Sequence, residues 1–178
     1  MFDYLKKLFQ PKVPNAALAW ALIQTKAGNQ ASSQDRLAFW LYAAPVHLVL
    51  QRDSFSLAEP VPLSLENDEA DALTSLFNQH FEADGLRFYW HENQWFLRLE
   101  NNPNIHTHAP HVAINQDISE FLPGGDGAIK WASFTNEIQM LLFEHAVNIE
   151  REAKRLPAIN SIWCYGLGNI RQQTQAAN

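Results

Sequence analysis

The sequence predicts an α+β fold in which helices pack against a central antiparallel sheet. Three observations predict it. Segments that favour β-structure are grouped in the middle of the chain, and helical patterns occupy both ends. Two of the strand segments are joined by a short polar turn that makes a hairpin. The regular alternation of strand and helix that builds a parallel sheet is not seen.

The elements follow in chain order. Phe2, Leu5, Leu8 and Phe9 fall at helical spacing until Pro11 and Pro14 stop the pattern. Asn15 can cap a second helix, whose apolar residues Ala17, Leu18, Trp20, Ala21, Leu22 and Ile23 run toward Gly28. Residues 28–35, rich in Asn, Gln and Ser, read as an exposed connector. Residues 37–57 form the first strand region, and Pro45 inside it implies an edge, a bulge or two separate strands. Phe55 and Leu57 alternate with Ser54 and Ser56 as a half-buried strand does.

Residues 66–83 read as a helix. Leu73, Leu76, Phe77, His80 and Phe81 make its stripe, acidic residues fill its first turns, and Gly85 closes it. Residues 86–90 and 95–99 pair across His91, Glu92, Asn93 and Gln94. Residues 101–116 read as loop, and 118–122 as a helical turn ended by Pro123, Gly124 and Gly125. Residues 128–155 are the longest helical stretch, with room for a break near 145–148, and residues 159–165 form a last strand ending at Gly166 and Gly168. Residues 1–170 are read as a single α+β domain, and 171–178 as a polar tail.

Composition bounds the function. The chain has 178 residues, 47% of them hydrophobic and only 18% charged, with six Trp and eleven Phe, so a sizeable core needs no staples. Cys164 is the one cysteine, which excludes an intrachain disulfide, and its place between Trp163 and Tyr165 reads as core packing. The formal net charge of −6 has the wrong sign for a nucleic-acid or anionic-lipid footprint. Apolar runs fall short of the roughly 20 residues of a membrane span, and no signal-peptide core is present, so the chain reads as cytoplasmic.

The densest information lies in residues 131–152. At about 100° per residue on one helix, Trp131, Ile138, Leu142 and Ile149 gather on one flank and Met140, Phe143 and Val147 on another. Between them runs a polar stripe of Glu137, Glu144, Asn148 and Arg151, in which Glu144 could pair with Arg151. Three readings stand for this stripe. It is a structural polar network that locks the helix onto the last strand, a groove for a ligand or partner, or a catalytic carboxylate–histidine site.

Asn136, Glu137, Gln139, Met140, His145, Val147, Asn148, Arg151 and Glu152, followed by Ile159, Asn160, Ser161, Trp163, Gly166 and Gly168, resemble the signature of the RpfE-type bacterial regulatory proteins. Trp40 and Leu41, Pro45 to Leu48, and Leu122 to Gly125 extend the resemblance over residues 37–168. Members of that family are often labelled phosphoglycerate mutase-related, and the resemblance carries no assigned reaction. The chain departs from the pattern at Ala44, Ala146 and Leu167, where the family has Asp, Pro and Gly.

Weaker signals are His106, His108 and His111, weighed as a metal cluster against exposed loop histidines, and Gly166 with Gly168, read as a turn rather than a phosphate loop. Asp and His residues do not surround a Ser in the constellation that metal-dependent mutase chemistry needs.

The reading these residues support is a non-catalytic binding module that requires neither metal nor cofactor. Its groove lies between the helix of residues 136–152 and the strand of 159–168. Asn136, Glu137, Gln139, His145, Asn148, Arg151, Glu152, Asn160, Trp163 and His47 are its candidate binding residues. Asn136, Gln139 and Asn148 would supply directional hydrogen bonds, Arg151 an anion contact, and Trp163 a stacking or apolar wall. The occupant would be a small molecule or a protein partner. A metal-assisted hydrolase or phosphotransferase using Glu137, His145 and the histidine loop is the alternative from another class. A self-associating module is the third.

Overall fold

The computed structural model describes residues 15–170. The predicted helix at residues 2–9 and the polar tail lie outside that range. Asn15 caps helix α1 (Ala16–Lys26) as predicted, its side chain accepting from the Ala17 amide at 2.8 Å. The predicted connector instead contains a short helix, α2 (Ser33–Leu37), because Ser32 caps it by accepting from the Asp35 amide at 3.0 Å.

Strand β1 (Phe39–Val46) is followed by β2 (Leu48–Leu50) and β3 (Phe55–Leu57), which pair with each other in a small separate ribbon. Helix α3 (Asn67–Phe81) leads into the hairpin of β4 (Leu86–His91) and β5 (Gln94–Leu99). Glu92 and Asn93 both adopt positive φ, the conformation a two-residue hairpin loop needs to match strand twist. Helices α4 (Ala128–Leu142) and α5 (Ala146–Ala153) precede the last strand, β6 (Ser161–Asn169). The main sheet has the order β4-β5-β1-β6 and all its neighbours run antiparallel. The α+β class and the antiparallel sheet with packed helices are therefore as predicted.

Alternation along the strands assigns the faces. Leu41, Ala43, Phe88, Leu97, Leu99, Ile162 and Cys164 point to the main core. There they meet Leu73 and Phe77 of α3, and Phe134, Ile138 and Leu142 of α4. Trp40, Tyr42 and Phe96 point the other way and pack against Ala16, Ala17 and Trp20 of α1. Trp20 and Trp40 stack with centroids 5.1 Å apart. Strand β1 is buried on both faces, so its sequence reads as one apolar run rather than an alternation.

Pro45 does not break β1. Its carbonyl accepts from the Leu63 amide at 2.8 Å, and the β1–β5 pairing has already ended at Tyr42 and Phe96, so the missing N–H falls where no strand needs it. Strand β6 runs through both glycines instead of ending at them. A register shift between Trp40 and Tyr42 of β1 marks a bulge, and Gly166 supplies the left-handed φ of +70° there. Gly168 lies so close to the Asn15 side chain that a Cβ would collide with it.

The long helical stretch is broken. Helix α4 ends at Leu142, Glu144 takes a positive φ of 54°, and α5 starts at Ala146. His145 is the cap of α5, its Nδ1 accepting from the Val147 amide at 3.3 Å. The break overturns the expectation of a helix apolar on two flanks. Trp131, Phe134, Ile138 and Leu142 are buried, whereas Met140, Phe143 and Ile149 face outward. Among the described residues no helix is long and apolar enough to cross a membrane.

Candidate functional site

The elbow between α4 and α5 is held by buried polar side chains. The Asn148 carboxamide nitrogen donates to the carbonyls of Leu142 at 2.9 Å and Ile159 at 2.7 Å, and its oxygen accepts from the Ile159 amide at 2.8 Å. Asn160 does the same to β2, accepting from the Leu48 amide at 2.7 Å and donating to the Leu48 carbonyl at 2.8 Å. Backbone groups of Ile159 and Leu48 are thus satisfied by side-chain amides.

Arg151 is 2% exposed and pairs with Glu69 of α3, its Nη1 lying 3.1 and 2.9 Å from the two carboxylate oxygens. Its Nε donates to the Pro157 carbonyl at 2.8 Å. Glu69 also accepts from the Glu66 amide at 2.9 Å, so one carboxylate closes the first turn of α3 and neutralises α5. The expected partner of Arg151, Glu144, is exposed on the elbow. It is turned away by the same break that brings α5 onto α3.

Outside this scaffold lies a recess of about 570 Å³. Its walls are Gln139, Leu142 and Phe143 at the end of α4, Glu144 on the elbow, and Asn148, Ile149 and Glu152 of α5. His47 and Leu48, Phe55 of β3, and Ala158 and Asn160 complete it. His47 Nδ1 lies 2.7 Å from the Ala158 carbonyl oxygen. A carbonyl only accepts, so Nδ1 carries a proton and donates it to this contact. Phe143, Ile149 and Phe55 are 76%, 58% and 43% exposed, and so present a large apolar surface at the mouth. The side chains of Gln139, Glu144 and Glu152 make no hydrogen bond or ion pair within the described residues, which leaves an amide and two carboxylates available to an occupant.

The structure therefore brings five of the candidate residues together: His47, Gln139, Asn148, Glu152 and Asn160. The asparagines do so with their amides already engaged, as the structural-network reading expects. The other five lie elsewhere. Asn136 is exposed on α4, and Glu137 pairs with His80 at 3.1 Å beside a second cleft. His145 is a helix cap and Arg151 a buried counterion. Trp163 points to the opposite face of the sheet from Ile162 and Cys164, and donates to the His108 carbonyl at 2.8 Å. It cannot wall a groove on the α4–α5 side.

Phe143, Glu144, Ile149 and Phe55 were not among the candidates. The signal that could have found Phe143 and Ile149 is the break itself, which takes them off the buried flank. Glu69 carried only a local signal, its place three residues after Glu66 at a helix start.

His106, His108 and His111 are exposed, and among the described residues no three His, Cys, Asp or Glu are grouped so as to hold a metal. Burial pushes the Cys164 thiol up, far from a nucleophile's range. Compared with family models, with curated proteins and with solved structures, the chain gives no match.

Proposed function

We propose that this chain is a non-catalytic regulatory module of the RpfE type that docks a protein partner in the recess at the α4–α5 elbow. The observation that supports this reading most strongly is Phe143, held 76% exposed at the mouth of a concavity that Ile149 and Phe55 also border. Apolar residues gathered at one concave place and rimmed by polar groups mark interaction sites, whereas single exposed apolar residues do not. The elbow that displays Phe143 is itself fixed by Asn148, so the surface is preorganised and little ordering entropy opposes docking. Glu144 and Glu152 on the rim favour a segment that carries Lys or Arg beside its apolar anchors.

The test is selection from a random peptide-display library against the folded chain, with Phe143→Asp as the counter-target. The reading expects enriched peptides with apolar anchors and a flanking basic residue, whose binding Phe143→Asp abolishes. Peptides that bind both chains equally, or no enrichment, would sink it. A monomer–dimer equilibrium removed by Phe143→Asp would make a second copy the occupant and would also overturn it.

A further inference from the structure

A second concavity, of about 450 Å³, opens between α3, the start of α4 and the base of the β4–β5 hairpin, separate from the recess. Its floor is apolar and largely aromatic. Phe81, Leu86, Leu99, Trp131 and Phe134 line it, with the Phe134 ring tilted against Phe81 and Trp131 at centroid distances of 5.1 and 4.8 Å. Two glycines shape it, Gly127 in its wall and Gly85 between the lining residues Asp84 and Leu86. Gly85 turns the chain into β4 at a left-handed φ of +69°, and the Glu100 side chain lies over it. Gly127 lets the loop of residues 101–104 lie against the start of α4, where a Cβ would strike the Pro103 carbonyl, and its amide donates to the Asn104 carbonyl at 3.0 Å.

The rim of this cleft is acidic. Asp84, Glu100, Asp126 and Glu137 face a single cation, Lys130, so the formal charge around the opening is negative. Glu137 is answered by His80, while Asp84, Glu100 and Asp126 make no ion pair within the described residues. These carboxylates do not converge as metal ligands. Charge spread around an aromatic floor attracts an organic cation, whose apolar body fills the cleft while its ammonium meets the rim.

We infer that this cleft binds a small organic cation with an aromatic or aliphatic body, an amine or quaternary ammonium compound. The probes are phenethylammonium and hexyltrimethylammonium chlorides, with phenylpropionate as a probe of similar apolar body and opposite charge. Each is titrated into the full chain and followed by calorimetry and by amide chemical shifts. Both cations should bind saturably and shift the amides of Asn101, Asn102, Asn104 and residues 126–134, while phenylpropionate does not bind. Replacing two exposed carboxylates, Glu100→Gln with Asp126→Asn, should weaken binding about tenfold without changing the circular dichroism spectrum. Phe143→Asp should leave binding unchanged, since it lies in the other concavity. Absence of saturable binding by either cation, equal binding of phenylpropionate, or shifts confined to the elbow would overturn the inference.

Discussion

Asn148 grips Ile159 from both sides, accepting from its amide at 2.8 Å and donating to its carbonyl at 2.7 Å. The pairing imitates a strand neighbour for Ile159, which lies outside the named strands. Asn160 makes it with Leu48, and Asn78 of α3 makes it with Phe88 on the outer strand β4. In the last case the amide also covers a sheet edge that would otherwise invite pairing with another chain.

The first prediction concerns Asn148. Its removal strands the Ile159 carbonyl and amide and takes one of two hydrogen bonds from the Leu142 carbonyl, which keeps the His145 amide at 3.2 Å; each buried unpaired group costs about 1–3 kcal/mol. Asn148→Ala should therefore lower stability by about 3 kcal/mol in urea titration. Asn160→Ala should cost less, because its site is only partly buried and water can reach the freed groups. Equal losses for the two variants would contradict this ordering.

Arg151 and Glu69 give a sharper test. Each is nearly fully buried, so Arg151→Ala or Glu69→Ala leaves an uncompensated charge and should cost about 3–5 kcal/mol. Replacing both by Leu and Met should cost far less than the two single losses added together. An additive double variant would show that the pair does not act as a unit.

Phe143 should behave oppositely. Its side chain is exposed, so Phe143→Ser should change stability by no more than about 0.5 kcal/mol while removing peptide binding at the recess. A large drop in the melting midpoint would place Phe143 in the fold rather than in recognition.

Alkaline pH should weaken the fold through Tyr42. Burial, and then the neighbouring Tyr165, push its hydroxyl from 10.0 up to about 12. The folded state thus holds this proton more tightly than the unfolded chain does. The corresponding stability is present below pH 10 and is lost as pH rises from 10 toward 12. Urea midpoints across that interval should fall, and fall less in Tyr42→Phe. Parallel curves for the two chains would refute the assignment.

Much of the fold was legible because its signals are local. The stripe of α3, the hairpin turn and the Asn15 cap each depend on residues within a few positions of one another. The candidate site was half legible. Residues 136–152 were recognised as dense in polar groups, but projecting them on one helix gave a stripe that the elbow does not keep. Strand alternation in β6 could have separated Trp163 from the helices, since Ile162 and Cys164 on either side of it are the residues that face α4.

By itself the sequence determined the class: an antiparallel α+β fold, a single buried cysteine, an acidic surface, and a polar block at the elbow. Only the tertiary structure decided what that block does. Glu69 lies 82 positions from Arg151, and Leu48 lies 112 from Asn160. A buried charge or amide takes whichever partner the packed layers bring within hydrogen-bond reach. Periodicity describes one element at a time and carries no information about that partner. The two concavities have the same origin, for each is the space left where elements distant in sequence meet.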